Sequence, residues 1–323
     1  MQYRKFGRSG FEVSDMAYGL WGMGGWSGSN DEESLKALQL SVELGCNFFD
    51  SAWAYGDGRS DGLLGQTIAA APHKRLYAAS KIPPKNLRWP ALPKYRYHDV
   101  FPPDHVFTYA DLIRKNLGTD TIDVLQFHVW DDSWTDEPDF RTTVEKLKRD
   151  NIVRAFGLSL NRWEPENGIK AIRTGLVDAV QVIYSIFDQS PEDELFPLCQ
   201  ELSIGVIVRV ALDEGSLGGK MTRETKFPKS DWRSGYFNPK NLANTMDRVD
   251  KLKEFLPRGM SLPEMALRFV LSHPAVSTVI VGMRKLEHVE GNISLSDKRP
   301  LSPQLLTELK KHRWDRKPAP WSD

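Results

Sequence analysis

The feature that most constrains this chain is a regular alternation of short apolar, β-branched runs with longer stretches of helical periodicity. The candidate strands are Met16–Leu20, Asn47–Asp50, Leu76–Ser80, Val124–Phe127, Ala155–Leu158, Ala179–Ile183, Gly205–Val210 and Thr278–Val281. Helical segments are predicted at Asp31–Leu44, Ser60–Ala70, Val106–Leu117, Phe140–Arg149, Glu166–Thr174, Asp193–Leu202 and Ala243–Leu256. Leu35, Leu38 and Val42 share one helical face, with Asp31 as the expected N-cap. Strands that are each followed by a helix predict an α/β fold, a closed (β/α)8 TIM barrel. An open doubly wound sheet would need a G-x-G-x-x-G loop leading straight into a helix. The glycine-rich run Gly19–Gly25 lacks that order.

Ahead of the barrel, Tyr3–Phe6, a turn at Arg8–Gly10 and Phe11–Val13 read as a β-hairpin that could plug the barrel bottom. The expected organisation of the 323 residues is one domain: hairpin 1–14, barrel about 15–295, C-terminal helix and tail about 296–323. Three proline- or aromatic-rich segments exceed plain connectors: Ile82–Asp104, Ala211–Asn241 and the tail Trp314–Trp321. The first two follow candidate strands and should lie on the catalytic face. With 43 basic and 43 acidic residues in no long blocks, the chain carries no footprint of nucleic-acid or membrane-surface binding. Cys46 and Cys199 are expected as two buried thiols rather than a disulfide. The polar start Met1–Ser14 does not read as a signal peptide, and no apolar run could span a bilayer, so a cytoplasmic location is expected. His98 and His105 lack partners at ligand-like spacing, and no metal site is expected. Oligomeric state is not legible.

Four residues fall where barrel strands end. Asp50 closes the second strand, Tyr55 lies just beyond it, Lys81 ends the third and His128 the fourth. Those points converge on the C-terminal rim of a barrel, where active sites form. A free phenol titrates near ~10, and a neighbouring buried ammonium favours the phenolate. Lys81 would supply that charge, Asp50 would keep the lysine charged and oriented, and His128 would orient a substrate oxygen beside Tyr55. The expected chemistry is proton transfer, with Tyr55 as general acid/base.

Phe49-Asp50-Ser51-Ala52-Trp53-Ala54-Tyr55-Gly56, followed by Ser60-Asp61-Gly62-Leu63-Leu64-Gly65, resembles the F-D-T-A-x-x-Y-G…S-E-x-x-L-G signature of the aldo-keto reductase superfamily. Ala79-Ser80-Lys81 is similar to its lysine motif, and Asp120–His128 to its D-x-I-D-L-x-x-x-H motif. The resemblance runs from the hairpin to about Ile293. It implies a nicotinamide cofactor bound across the barrel mouth without a Rossmann fold. Gly157-Leu158-Ser159-Leu160-Asn161 is similar to the strand end that holds the carboxamide, which implies roles for Ser159 and Asn161, with Gln181 on the same amide. Gly22 is expected at the mouth beside the cofactor.

In the segment Val208–Lys220, the loop from Leu212 through Gly215, Ser216 and Leu217, with Lys220, should wrap the pyrophosphate. Arg209 replaces the family's stacking tyrosine, and a planar guanidinium can also stack on a ring or reach a phosphate. The segment Ile280–Asn292 is similar to the G-x-R-x-x-x-x-V-x-E-N adenosine site. It brings in Gly282, Arg284, Lys285, His288 and Asn292, although Gly291 stands where a glutamate usually sits. Charge-assisted contacts from Arg284 and Lys285 to a 2′-phosphate predict NADPH rather than NADH.

Trp21, Trp26, Trp53, Trp89, Trp130, Trp134, Trp232 and Tyr236 should crowd the mouth, and Trp21, Trp53 and Trp130, which adjoin the motifs, are the expected pocket walls. The implied function is NADPH-dependent reduction of an aldehyde or ketone, or the reverse oxidation of an alcohol. The alternative is an NADPH-binding regulatory or sensor subunit similar to the β subunits of potassium channels. A third reading is a barrel isomerase or hydrolase without a nicotinamide.

Overall fold

The computed structural model describes residues 1–26 and 28–316, so the end of the aromatic tail, including Trp321, lies outside the described residues. Two strands, β1 (Tyr3–Lys5) and β2 (Glu12–Ser14), form the antiparallel hairpin. Eight parallel strands follow: β3 (Met16–Gly19), β4 (Phe48–Asp50), β5 (Tyr77–Ile82), β6 (Ile122–Phe127), β7 (Val153–Ser159), β8 (Ala179–Ile183), β9 (Gly205–Arg209) and β10 (Thr278–Gly282). They pair in sequence order, and β10 closes onto β3 to make a barrel. Every predicted strand is present, within two residues at each end.

Two apolar populations explain why the barrel forms. One side of each strand faces the helices in a continuous outer core. The other side faces inward, and the inward layer is Ala17, Phe48, Ala79, Val124, Ala155, Ala179 and Ile207. Four of those seven are alanines, which leave room that the hairpin fills. Phe6, Phe11 and Val13 insert into this inner cluster, with the Phe6 ring 5.3 Å from that of Phe48. The hairpin is therefore the barrel's floor, as the sequence suggested.

Helix starts differ from expectation in an instructive way. Asn30, not Asp31, caps the first helix (Asp31–Glu43): its backbone is extended and its side chain accepts from the Glu33 N–H at 3.1 Å. The helix Pro239–Lys253 begins four residues earlier than predicted, because Asn238 caps it and Pro239 takes its first position. Helices Leu262–Leu271, Leu286–Ile293 and Pro303–Lys310 complete the outer layer. Cys46 and Cys199 are buried free thiols. Among the described residues, no helix is long and apolar enough to cross a membrane.

Gly65 shows that part of the second signature is architectural. It lies where the helix Arg59–Ala70 crosses the helix Pro103–Leu117, and a β-carbon there would fall 2.2 Å from the Asn116 carbonyl oxygen. The helices would have to separate. Gly65→Ala should cost about 1–3 kcal/mol in urea unfolding. Gly62→Ala, one turn earlier with open space around its β-carbon, should instead be neutral or gain up to ~1 kcal/mol. Equal behaviour of the two variants would contradict this account of the helix crossing.

Candidate active site

Side chains on a strand alternate, so the residue two places beyond an inward one also points into the barrel. Beyond the inward apolar layer come Gly19, Asp50, Lys81, Gln126, Gly157, Gln181 and Arg209, in that order around the barrel. A polar layer thus sits directly on an apolar one, at the C-terminal end of the strands.

Asp50 is the hub of that layer. Its Oδ2 accepts from Lys81 Nζ at 2.7 Å, and its Oδ1 accepts from Gln181 Nε2 at 2.7 Å and from Gln126 Nε2 at 3.4 Å. Lys81 is fully buried, and its ammonium also donates to the Ser51 carbonyl at 2.7 Å and reaches the Tyr55 hydroxyl at 3.5 Å. Burial is the largest influence on Lys81 and favours the neutral amine. The adjacent Asp50 and Tyr55 together outweigh it and hold Lys81 above its ordinary value. Burial pushes the Tyr55 phenol above its usual range, although Lys81 pulls the other way. The expected sign of the Lys81 effect is present, but desolvation of a phenolate at this depth is the larger force.

Tyr55 is carried by a turn beyond β4. The turn is pressed against the loop after β3, for a β-carbon on Gly56 would lie 2.4 Å from the Gly24 carbonyl oxygen. His128 sits just past β6 with its ring edge-on to Tyr55 at 5.8 Å, and Trp89 approaches from the insertion after β5 at the same distance. Burial, followed by the charges of Lys81 and Arg209, holds His128 well below 6.5. The imidazole is neutral at physiological pH, and its Nδ1 is buried with no hydrogen-bond partner among the described residues.

A cleft of about 740 Å³ opens above this floor. It runs from Asp50, Tyr55, Gln181 and Arg209 past Leu212 and Gly215 to Gly282, Arg284, Lys285 and His288, with Trp21 and Gly22 on its wall. Arg209 donates to the Leu160 carbonyl at 3.0 Å, while its Nε is buried without a partner among the described residues. Burial, then the nearby charge of Arg162, pulls Arg209 down to about 10, so it stays protonated at neutral pH. An unsatisfied guanidinium N–H in a cleft-lining side chain is what a dinucleotide's amide or phosphate oxygens can satisfy. At the far end, partial burial and then the charge of Lys220 pull His288 below its ordinary value, with Lys285 and Arg284 acting in the same direction. Glu287 opposes them there, but Arg284 and Lys285 both line this end of the cleft, and the residues present fit a dinucleotide.

Several sequence-based placements need correction. Trp130 is fully buried, 4.7 Å from Phe140 with its Nε1 donating to Asp132 at 2.8 Å, so it is core and not pocket wall. Trp53 packs edge-on against Tyr109 and is not on the cleft wall. The Asn161 amide bonds Ala91 and Glu164, tying the insertion after β5 to the barrel instead of facing the cleft. Gln181 lines the cleft, but its buried partner is Asp50. Ser159 is buried beside Gln181 in register, Ser216 bonds Asp213, and Leu217 joins the core; none of these side chains lines the cleft. Lys220 is exposed and Asn292 half-buried, both away from the cleft wall. Gln126 was missed, although one polar residue in an apolar strand, two places before His128, was the available signal. Trp232, expected at the mouth, and Glu214, in the loop expected around the pyrophosphate, line the cleft; Arg162 and Arg233 do so too, and nothing in their local sequence announces that, because the loops carrying them meet only in the closed fold.

A closed parallel barrel with an acid–base cluster on its C-terminal rim defines a barrel enzyme. The chain belongs to the Aldo/keto reductase family, whose model matches residues 15–313, and it is an oxidoreductase of carbonyl and alcohol groups. It is 28% identical to an uncharacterized oxidoreductase of Bacillus subtilis, over 97% of this chain and 96% of that one. It is 24% identical to the NADH-specific methylglyoxal reductase of Escherichia coli, over 89% and 91%. It is 28% identical to a probable voltage-gated potassium channel subunit beta of Oryza sativa, over 96% and 95%. Its fold is shared with the glycerol dehydrogenase of Gluconobacter oxydans, with a TM-score of 0.79, 24% identity and coverage of 99% and 98%.

The neutral state of His128 has a consequence for stability. Below about pH 6.5 the unfolded chain binds a proton at this position that the folded protein refuses. The contribution of His128 is therefore full above that pH and is lost as pH falls. His128→Gln should reduce the drop in urea-unfolding stability on acidification below neutrality. An undiminished drop would contradict a buried neutral imidazole.

Proposed function

We propose that this barrel domain is a cytoplasmic, NADPH-dependent carbonyl reductase acting on a small aldehyde or ketone, reversibly with the alcohol, with Tyr55 as its general acid/base. The observation that carries this reading is the Lys81 ammonium held between Asp50 and Tyr55 beneath a cleft of about 740 Å³ that runs on to Arg284, Lys285 and His288. Gln181 and Arg209 would hold the nicotinamide end, and the backbone of Leu212 and Gly215 the pyrophosphate. Arg284, Lys285 and His288, with Lys220 nearby, would hold the 2′-phosphate. A bound NADPH supplies the hydride. Tyr55, kept protonated by its burial, donates its proton to the carbonyl oxygen. Lys81 then stabilises the phenolate left behind, and Asp50 keeps Lys81 charged and aimed. Neutral His128 orients the substrate oxygen beside Tyr55, while Trp21, Trp89 and Trp232 supply aromatic surface around the mouth. A positioned general acid contributes roughly 10²–10⁴-fold.

The basic end of the cleft favours NADPH, even though one relative is NADH-specific. A second reading, an NADPH-binding regulatory subunit with slow turnover, draws on the similarity to the rice channel subunit. Purified protein incubated with NADPH and a panel of aldehydes and ketones separates the two. Brisk carbonyl-dependent loss of NADPH absorbance supports the reductase, and tight binding with negligible turnover supports the subunit.

Tyr55→Phe should remove most reduction and leave NADPH affinity near wild type; parallel losses of both would count against the proton-donor assignment. Arg284→Ala should weaken NADPH more than NADH in fluorescence titrations, and an unchanged ratio would refute the 2′-phosphate role.

A further inference from the structure

We propose that the C-terminal tail is a working part of the cofactor site, with Arg316 acting as a positioning residue that holds the loop after β9 in its dinucleotide-ready shape. The proposal rests on the dinucleotide reading above and adds a residue that does not line the cleft. The loop in question supplies Leu212, Glu214 and Gly215 to the cleft wall. Its backbone is unusual: Val210, Asp213 and Glu214 all have positive φ, at 58°, 46° and 54°. That region is costly for residues bearing a β-carbon, and such conformations persist only where the surroundings enforce them.

The enforcement comes from a buried charge cluster. Asp213 is 1% exposed, with Oδ2 accepting from the Ser216 hydroxyl at 2.5 Å and Oδ1 paired with Arg316 Nη2 at 2.6 Å. Arg316 is itself buried. It forks onto Asp188, beyond β8, through Nε at 3.2 Å and through Nη2, and its Nη1 donates to the Tyr236 hydroxyl at 2.7 Å. Its guanidinium lies over the Trp163 and Trp314 rings at 5.1 and 4.7 Å.

Two carboxylates buried on one guanidinium make a high-stakes arrangement. Without Arg316, Asp188 and Asp213 would face each other in a buried site with the ion pair that both depend on removed. Asp213 would then take up a proton or turn toward water, and in either case the ion pair that holds its backbone in the left-handed region would be lost. On its other flank the loop is held by an ion pair between Glu214 and Arg162, 2.8 Å apart. The loop is thus suspended between two arginines, one lining the cleft and one supplied by the tail. Arg316 reaches the cleft through this loop and, by way of Tyr236, through the neighbouring Trp232 and Arg233, so its effect should fall on cofactor retention. Asp188, its other partner, provides the control, since it anchors the tail without touching the loop.

The test titrates the full chain with NADPH and with NADH, following tryptophan fluorescence, and measures cofactor release by stopped flow. The proteins are wild type, Arg316→Ala, Arg316→Lys, Asp213→Asn, Asp188→Asn and the double variant Arg316→Ala/Asp213→Asn. Arg316→Ala should weaken the preferred dinucleotide on the order of tenfold, mainly through faster release. Asp213→Asn should act in the same direction, and the double variant should lose little beyond the worse single one, because both changes break one interaction. Arg316→Lys should fall between, since an ammonium cannot serve both carboxylates as a fork does. It also carries the test if the alanine variant fails to fold. Asp188→Asn, which leaves the Arg316–Asp213 pair in place, should lower the melting temperature and weaken the dinucleotide less than Asp213→Asn does.

Three results would overturn the proposal while the functional reading stands: unchanged affinity in Arg316→Ala and Asp213→Asn, simple additivity in the double variant, or equal weakening by Asp188→Asn and Asp213→Asn. A wild-type protein that binds neither dinucleotide would overturn both.

Discussion

A lysine with no solvent exposure keeps its charge only if a carboxylate lies beside it and each N–H finds an acceptor. Lys81 meets that condition with Asp50, the Ser51 carbonyl and the Tyr55 hydroxyl. Such a pair is weak evidence for stability, because desolvating both ions costs about as much as their attraction returns. Its consequence is positional. Asp50 also accepts from Gln181 and Gln126 across the barrel, so the carboxylate that aims the Lys81 ammonium is itself held in place. The chemistry proposed for Tyr55 depends on this buried cation more than on any property of the tyrosine.

The barrel makes such a cluster possible by separating two layers only two residues apart along each strand. The lower layer is small and apolar and is sealed from below by Phe6 and Phe11. The ion pair is covered by buried apolar side chains on that side. The upper layer opens into the cleft, where the loops after β3, β7, β9 and β10 supply the walls. Charge is distributed unevenly along those walls. The inner end is governed by the Asp50–Lys81 pair and the protonated Arg209, while the outer end gathers Arg284, Lys285 and His288.

Much of the fold was legible because parallel strands buried on both faces read as apolar runs, and because helix periodicity differs from strand periodicity. The four residues Asp50, Tyr55, Lys81 and His128 were legible for a related reason: each stands at or just beyond a strand end. Gln126 could have been found by the argument applied to Gln181. Trp130 could not have been placed correctly. Adjacency to His128 in sequence does not say which side of a strand end a ring will take, and here it turned outward onto Phe140. Asn161 was misplaced for a similar reason, since its partner Ala91 lies in an insertion whose path no periodicity reveals.

By itself, the sequence determined the order and spacing of the strands, the plug, the family motifs and the identities of the groups available for proton transfer. These follow from local alternation, which each segment carries within itself. Only the tertiary structure decided which of those groups share a hydrogen bond, how far burial opposes Lys81 at Tyr55, and which loop residues face the cleft. Those outcomes depend on barrel closure, which brings side chains more than a hundred residues apart into contact and sets the dielectric around them.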